Sequence, residues 1–360
     1  MITDIIWVRI MENEVCIIGA GHQGISMAAH LALCGVRVNL WNRSEETIKS
    51  IISEKKIYCK GIIEGTAEIN KISTQIRDVI ANVIMVTTPS IAHKEIARAI
   101  APFVHEKMVI LLNPGRCFGA IEFAEELKKQ GIHDMPQIGE TQSIVYTCRK
   151  SDNNHAVIFA FKRNVSLAVL GGDDCYNYVY KKLPDCLKPY FQRAESFAET
   201  SLNNVGMILH CAPVLMNIGW IESDKVDFKY YYDGISPSIA DFLEKMDQER
   251  ITVAEKIGVQ AESVKDWLKR TYGVEGNTLY ECLRNNKSYQ EIDAPKSLNT
   301  RYIFEDVPNG LVSVEYLGTF FEDVSTPAIT LIIDLANEIL NCDFRHEGRR
   351  FSVETIEKYL

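Results

Sequence analysis

The sequence predicts an α/β domain built on a doubly wound, mostly parallel sheet, followed by an all-α domain. Three observations carry this expectation. A short apolar run without helical period leads into glycines spaced G-x-G-x-x-G, at Gly19, Gly21 and Gly24. Further apolar runs at 83–86 and 108–112 are separated by a segment with helical spacing through Ile91, Ile96 and Ile100, the alternation that a parallel sheet covered on both faces requires. Past Pro184 and Pro189 the strands give way to helix-spaced segments near 201–221, 236–257 and 326–340.

A chain of 360 residues exceeds the usual size of one core, so two domains are expected. Their bounds are drawn at 11–186 and 187–360, with residues 1–10 as an extension ahead of Met11. Apolar and charged fractions of 46% and 24% are those of an ordinary globular protein. The net charge of −9 argues against a nucleic-acid scaffold, which needs clustered Lys and Arg to neutralise phosphates. Ten cysteines without a C-x-x-C pair, and no signal-peptide pattern, point to free thiols in the cytoplasm and mark no metal centre. The longest apolar segment, 327–340, is too short for a membrane span and contains Asp334, Asn337 and Glu338. It is expected to be a core helix.

Taken in order, the first strand and its glycines form a dinucleotide-binding fingerprint. Gly19 permits the tight turn, Gly21 lets a pyrophosphate approach the backbone, and Gly24 lets the next helix pack closely on the strand. His22 and Gln23, between the last two glycines, open that helix, whose free N–H groups would meet the phosphates. Residues 36–41 alternate as a second strand, and position 42 bears on the cofactor. An acid there would bond the ribose 2′-OH of NAD and repel a 2′-phosphate. The chain instead has Asn42, Arg43 and Ser44, which favours NADP, with NAD also open. A plain polar loop with Ser44 as N-cap of the following helix is compatible with both. Thr87, Thr88 and Pro89 end the next strand, and Asn113-Pro114-Gly115 ends the one after. Loops at strand C-termini face the ligand crevice of such a sheet. Segments 138–143, 156–160 and 165–170 are three more strand candidates completing this domain.

In the helical domain Pro213 denies Leu209 its hydrogen-bond donor, so a helix running through it should kink beside His210. A histidine there suits proton transfer, although on this segment alone a core histidine satisfied by a backbone carbonyl is the better reading. Around Arg301, Glu305 and Asp306, the sequence Pro308-Asn309-Gly310 has turn chemistry, and a loop is expected.

Together, Gly19–Gly24, Asn113-Pro-Gly-Arg116, Glu140-Thr-Gln142, Asn204 with His210 and Pro213, Tyr232-Asp-Gly-Ile-Ser-Pro237, Asp247-Gln-Glu-Arg250, and Arg301-Tyr with Glu305-Asp-Val-Pro-Asn-Gly-Leu-Val resemble the octopine/nopaline (opine) dehydrogenase family. The resemblance covers nearly the whole chain after Met11. It implies a Rossmann domain and an all-α dehydrogenase domain with substrate held between them, and reductive joining of an amino acid to a 2-oxo acid with hydride from NAD(P)H. It further implies His210 as general acid/base, Asp306 as its orienting partner and Arg301 as the carboxylate clamp, with Glu140, Gln142 and Asn217 on the substrate side. The partners implied are small molecules, an amino acid and a 2-oxo acid, with no nucleic acid and no membrane, leaving room for a homodimer. Two alternatives stand: a related reductase of the ketopantoate reductase or glycerol-3-phosphate dehydrogenase kind, which would look to a lysine, and a catalytically inactive NAD(P)-sensing module. No residue cluster identifies the substrate side chain.

Overall fold

A computed structural model describes residues 14–359; the expected extension over residues 1–10 lies outside the described residues. The chain divides into two compact units. Residues 14–115 and 119–197 make the first, and residues 116–118 group with 198–359 in the second.

Twelve strands belong to the first unit: β1 (Glu14–Ile18), β2 (Arg37–Trp41), β3 (Lys56–Gly61), β4 (Gly65–Glu68), β5 (Lys71–Ser73), β6 (Val83–Val86), β7 (Val109–Leu112), β8 (Gln137–Thr141), β9 (Tyr146–Asp152), β10 (His155–Phe161), β11 (Val165–Val169) and β12 (Phe191–Arg193). Eight of them form one sheet in the order β12-β11-β8-β7-β6-β1-β2-β5. Strand β1 lies parallel between β2 and β6, with Ile17 opposite both Leu40 and Met85. These inner strands are covered on both faces, which is why β6 and β7 are unbroken apolar runs. The chain crosses away from β1 in both directions, so the C-terminal end of β1 is a topological switch point, where such sheets bind ligands. Only β11 runs against its neighbour β8, and β12, which lies past residue 186, pairs parallel to β11.

A second sheet, β4-β3-β10-β9, contains the strand expected over 156–160. Its inward residues Ile57, Cys59, Ala67, Tyr146, Cys148, Ala156 and Ile158 join the core shared with Ala28 and Leu31 of the glycine-loop helix, His22–Leu33. Of its strands, β10 carries the apolar run that a pattern search finds; β3, β4 and β9 are half exposed, with Lys56, Lys60 and Arg149 on outer positions.

Among the helices of the second unit, 206–216, 237–256 and 327–340 coincide with the expected segments. The long helix Pro237–Lys256 starts on Ser236, whose hydroxyl accepts from Ile239 N, with Pro237 at the first helical position. Inside it the fully buried Arg250 donates to Asp247, to Glu262 O at 2.6 Å and to Leu202 O, while the second oxygen of Asp247 accepts from Val264 N. One ion pair therefore joins three segments. The region around Pro308-Asn309-Gly310 corrects the expectation of a loop: Arg301–Phe304 is a short helix, Val307–Leu311 a widened π turn, and Val312–Gly318 continues helically. Pro308 sits in a first turn, where its missing N–H is not needed. Gly310 serves packing, since a Cβ there would lie 2.8 Å from Cβ of Met207.

Candidate active site

In the sheet unit, the glycines form the cradle that the spacing anticipates. Gly19 has φ +108°, and a Cβ on Gly24 would fall 1.7 Å from the Gly19 carbonyl oxygen, so helix and strand approach as only glycine allows. A Cβ on Gly21 would meet nothing within 4 Å. That opening, at the start of a twelve-residue helix, is where backbone N–H groups can receive a pyrophosphate. Asn42 Oδ1 accepts from Ala20 N at 3.0 Å and Thr87 Oγ1 donates to Ile18 O and Gly19 O, so both brace the loop. Thr88 Oγ1 and Gln23 Oε1 are buried without a hydrogen-bond partner, polar atoms that a bound nucleotide could satisfy. The ring of His22 is engaged differently, with Nδ1 accepting from Lys150 N at 2.8 Å.

Beside the cradle, a cavity of about 270 Å³ is lined by Trp41, Asn42, Arg43, Ser44, Thr88, Pro89 and Glu95, among others. Ser44 is at the N-cap of Glu45–Glu54 but its side chain makes no capping bond. Arg43 pairs with Glu95 at 3.0 Å, both exposed. The residues present thus fit a nicotinamide dinucleotide, with a cation and a hydroxyl lining the cavity beside the cradle.

In the helical unit, His210 lies on the helix Gly206–Met216, which runs on through Pro213. The carbonyl freed by that proline is not abandoned: the Tyr230 hydroxyl lies 2.5 Å from His210 O and 3.4 Å from Leu209 O. His210 Nδ1 is 2.6 Å from Asp306 Oδ2, and the imidazole stacks on Tyr302 at 4.1 Å between ring centroids. With Nδ1–H donated to the carboxylate, the lone pair available for proton transfer is on Nε2. Burial pulls the His210 pKa down, Asp306 opposes, and Arg301 and Arg116 add to the lowering; the net direction is below the ordinary histidine value.

Arg116, quoted in the sequence motif but given no role there, completes the cluster. Its guanidinium reaches Asp306 Oδ1 at 3.0 Å, Glu305 Oε2 at 3.1 Å and Asn204 Oδ1 at 3.0 Å, all buried. Burial works against its charge, but Asp306 and Glu305 together raise its pKa, so it stays cationic. Gly206 makes the room: a Cβ there would lie 2.5 Å from Arg116 Nη1. Arg301 opens its short helix half exposed, paired at 3.8 Å with Glu305 and lying over the Tyr302 ring. His210, Arg301 and Asp306 are thus neighbours within one unit.

The substrate-side expectations meet other arrangements. Asn217 Nδ2 donates to Pro213 O and Gly234 O, bracing the helix end. Glu140 and Gln142 are buried in the sheet unit, and Glu140 Oε2 accepts from Ala120 N in the first turn of the helix Gly119–Lys129, where its charge suits the helix dipole.

A nucleotide cradle in one unit and a histidine–carboxylate pair in an all-helical second unit define a two-domain NAD(P)-dependent oxidoreductase. Comparison with known proteins narrows the class. The model of a family described as NAD/NADP octopine/nopaline dehydrogenase, alpha-helical domain, matches residues 193–340, and that of ketopantoate reductase PanE/ApbA matches residues 15–138 in the sheet unit alone. An opine dehydrogenase of Arthrobacter sp. (strain 1C) is 36% identical over 352 residues, covering 97% of this chain and 95% of that protein. The protein ocs of Agrobacterium tumefaciens (strain Ach5) is 23% identical, covering 96% of each chain. Among solved structures, octopine dehydrogenase in complex with NADH and agmatine superposes with a TM-score of 0.72 at 18% identity, covering 91% of this chain and 89% of its own. NADP+-bound yersinopine dehydrogenase gives 0.76 at 13%, covering 96% and 98%. The chain belongs to the opine dehydrogenase family. It is an NAD(P)-dependent oxidoreductase that reductively condenses the amine of an amino acid with a 2-oxo acid, and no described helix is long and apolar enough to cross a membrane.

Proposed function

We propose that His210 is the general acid/base of this condensation, Asp306 its orienting partner and Arg301 the clamp for a substrate carboxylate. The observation carrying this is the 2.6 Å contact between His210 and Asp306, itself fixed by Arg116 on the other carboxylate oxygen. Neutral His210 takes a proton from the substrate ammonium, and the freed amine attacks the 2-oxo carbon to give a carbinolamine. The imidazolium, stabilised by Asp306, returns that proton to the departing hydroxyl, which leaves as water. Loss of water leaves a protonated imine, and NAD(P)H, when bound, would supply the hydride that makes it a neutral secondary amine. Arg301 can meet the acid's carboxylate with two parallel bonds, holding the reacting carbon in place.

For the cofactor we infer a preference for NADPH, supported by Arg43 and Ser44 in the cavity beside the cradle and the lack of an acid at position 42. Glu95 opposes it, so the Arg43–Glu95 pair sets the margin. The ten cysteines are all free thiols, which supports a cytoplasmic setting; a homodimer is the assembly to test by light scattering. The deciding experiment is NADPH and NADH oxidation with amino acids crossed against pyruvate, 2-oxoglutarate and glyoxylate, with mass spectrometry of the product. A secondary amine containing both reactants is expected, with higher kcat/KM for NADPH. Oxidation that needs the 2-oxo acid alone would overturn the condensation, and NADH preference unchanged in Arg43→Ala would overturn the cofactor assignment.

A further inference from the structure

We propose that His30, Cys34 and Cys186 form a binding site for a thiophilic divalent cation, zinc above all, within the sheet unit. His30 and Cys34 are one turn apart at the end of the glycine-loop helix, Cys34 being its C-cap, and Cys186 comes from the segment after Pro184. A ring nitrogen and two sulfurs from these side chains all lie within 4.8 Å of one another, and no other such group of three occurs among the described residues. Tetrahedral zinc, with bonds of about 2.3 Å to sulfur and 2.0 Å to nitrogen, holds its donors roughly 3.5 Å apart. Side-chain shifts on the order of 1 Å would close the set around an ion.

The donors have the chemistry the ion needs. Burial lowers the His30 pKa to about 4, so its imidazole is neutral. Its Nδ1 meets the Tyr146 hydroxyl at 3.0 Å, and rings of Tyr146, Phe161 and Tyr190 fix its plane, the outer support that orients metal-binding histidines. Cys34 is exposed and Cys186 half-buried, which gives an ion an entry path and leaves its fourth position to water. Burial, and then Cys34, hold the Cys186 thiol protonated without a metal. Two thiolates and one imidazole around a divalent ion make a centre with no net charge. This site sits at the opposite end of the helix from Gly21, about 18 Å along its axis at 1.5 Å per residue. It is a clip between that helix and the segment leading to β12, separate from hydride transfer.

The test is anaerobic titration of the full-length, phosphine-reduced, metal-free protein with cobalt(II). One cobalt per chain is expected, with a thiolate-to-cobalt charge-transfer band, tetrahedral visible bands and displacement by zinc. Cys34→Ser, at an exposed position that keeps the fold, should remove much of the charge-transfer intensity. Tyr146→Phe, which keeps every ligand, should weaken zinc binding by about 10–100-fold. A wild-type spectrum without charge transfer, or one unchanged in the Cys34→Ser, Cys186→Ser double variant, would overturn the site. So would a Cys34–Cys186 disulfide formed by hydrogen peroxide equally fast with and without zinc, since bound thiolates are shielded from oxidation.

Discussion

His210 is balanced between burial, which disfavours its imidazolium, and Asp306, which favours it. Because burial and the two arginines prevail, the acid limb of kcat/KM should fall below the ordinary histidine value of about 6.5. Neighbouring charges move it in opposite directions. Asp306→Asn removes the stabilising anion and should shift the limb to lower pH, whereas Arg116→Met removes a repelling cation and should shift it higher. A shift of the same sign in both variants would show that packing, not charge, governs the histidine. His210→Ala should lower kcat by roughly 10²–10⁴-fold with little change in cofactor affinity. Arg301→Lys should mainly raise KM for the 2-oxo acid, since an ammonium cannot reproduce a two-pronged clamp. Near-normal turnover of His210→Ala with an unchanged pH profile would make it a core histidine.

At the scale of the element, the glycine loop separates two effects that the fingerprint alone merges. Gly24→Ala forces a Cβ against the Gly19 carbonyl and should cost about 1–3 kcal/mol of stability by overpacking. Gly21→Val meets only open space, so its melting temperature should stay near wild type while calorimetric titration shows cofactor affinity lost. Undiminished affinity would reduce the loop to a turn. In the long helix, Arg250→Met strands Asp247 in the interior. Removing one partner of a buried pair costs about 3–5 kcal/mol, measurable by denaturant titration. A loss below about 1 kcal/mol, the range of exposed pairs, would mean the segments it joins are held by apolar contacts instead.

Across the molecule, what the sequence reveals follows how local its causes are. The glycine cradle, the apolar inner strands β1, β6 and β7, and the helix through Pro213 are written in consecutive residues, and each is found where expected. Pro308-Asn309-Gly310 has the composition of a turn, but burial of Val307 through Leu311 and the pressing of Gly310 on Met207 override it. In the sheet β4-β3-β10-β9, β10 shows in its own apolar run, but its parallel pairing with the half-exposed β3 is written in neither strand. His210 and Asp306 could be associated only through the family resemblance, as 96 positions part them. Arg116 lies 189 positions from Glu305 and follows a strand-end motif that suggests only a loop.

Residues 116–118 have one further consequence. Cys117 N donates to Asn309 O, Phe118 N to Ser201 Oγ, and Arg349 to Cys117 O, so this tripeptide is built into the helical unit although sheet-unit residues flank it on both sides in sequence. The reacting half of the enzyme is therefore not a contiguous gene segment. A fragment beginning at residue 198 would carry Glu305 and Asp306 side by side without their shared cation, and the adjacent buried carboxylates would repel. Expressed alone, it should fail to unfold cooperatively at neutral pH and gain structure on acidification, when the carboxyls are neutralised. Recombination between relatives faces the same restriction: an exchange at the unit border brings in a foreign residue 116, and chimeras should keep their activity only when the tripeptide travels with the helices.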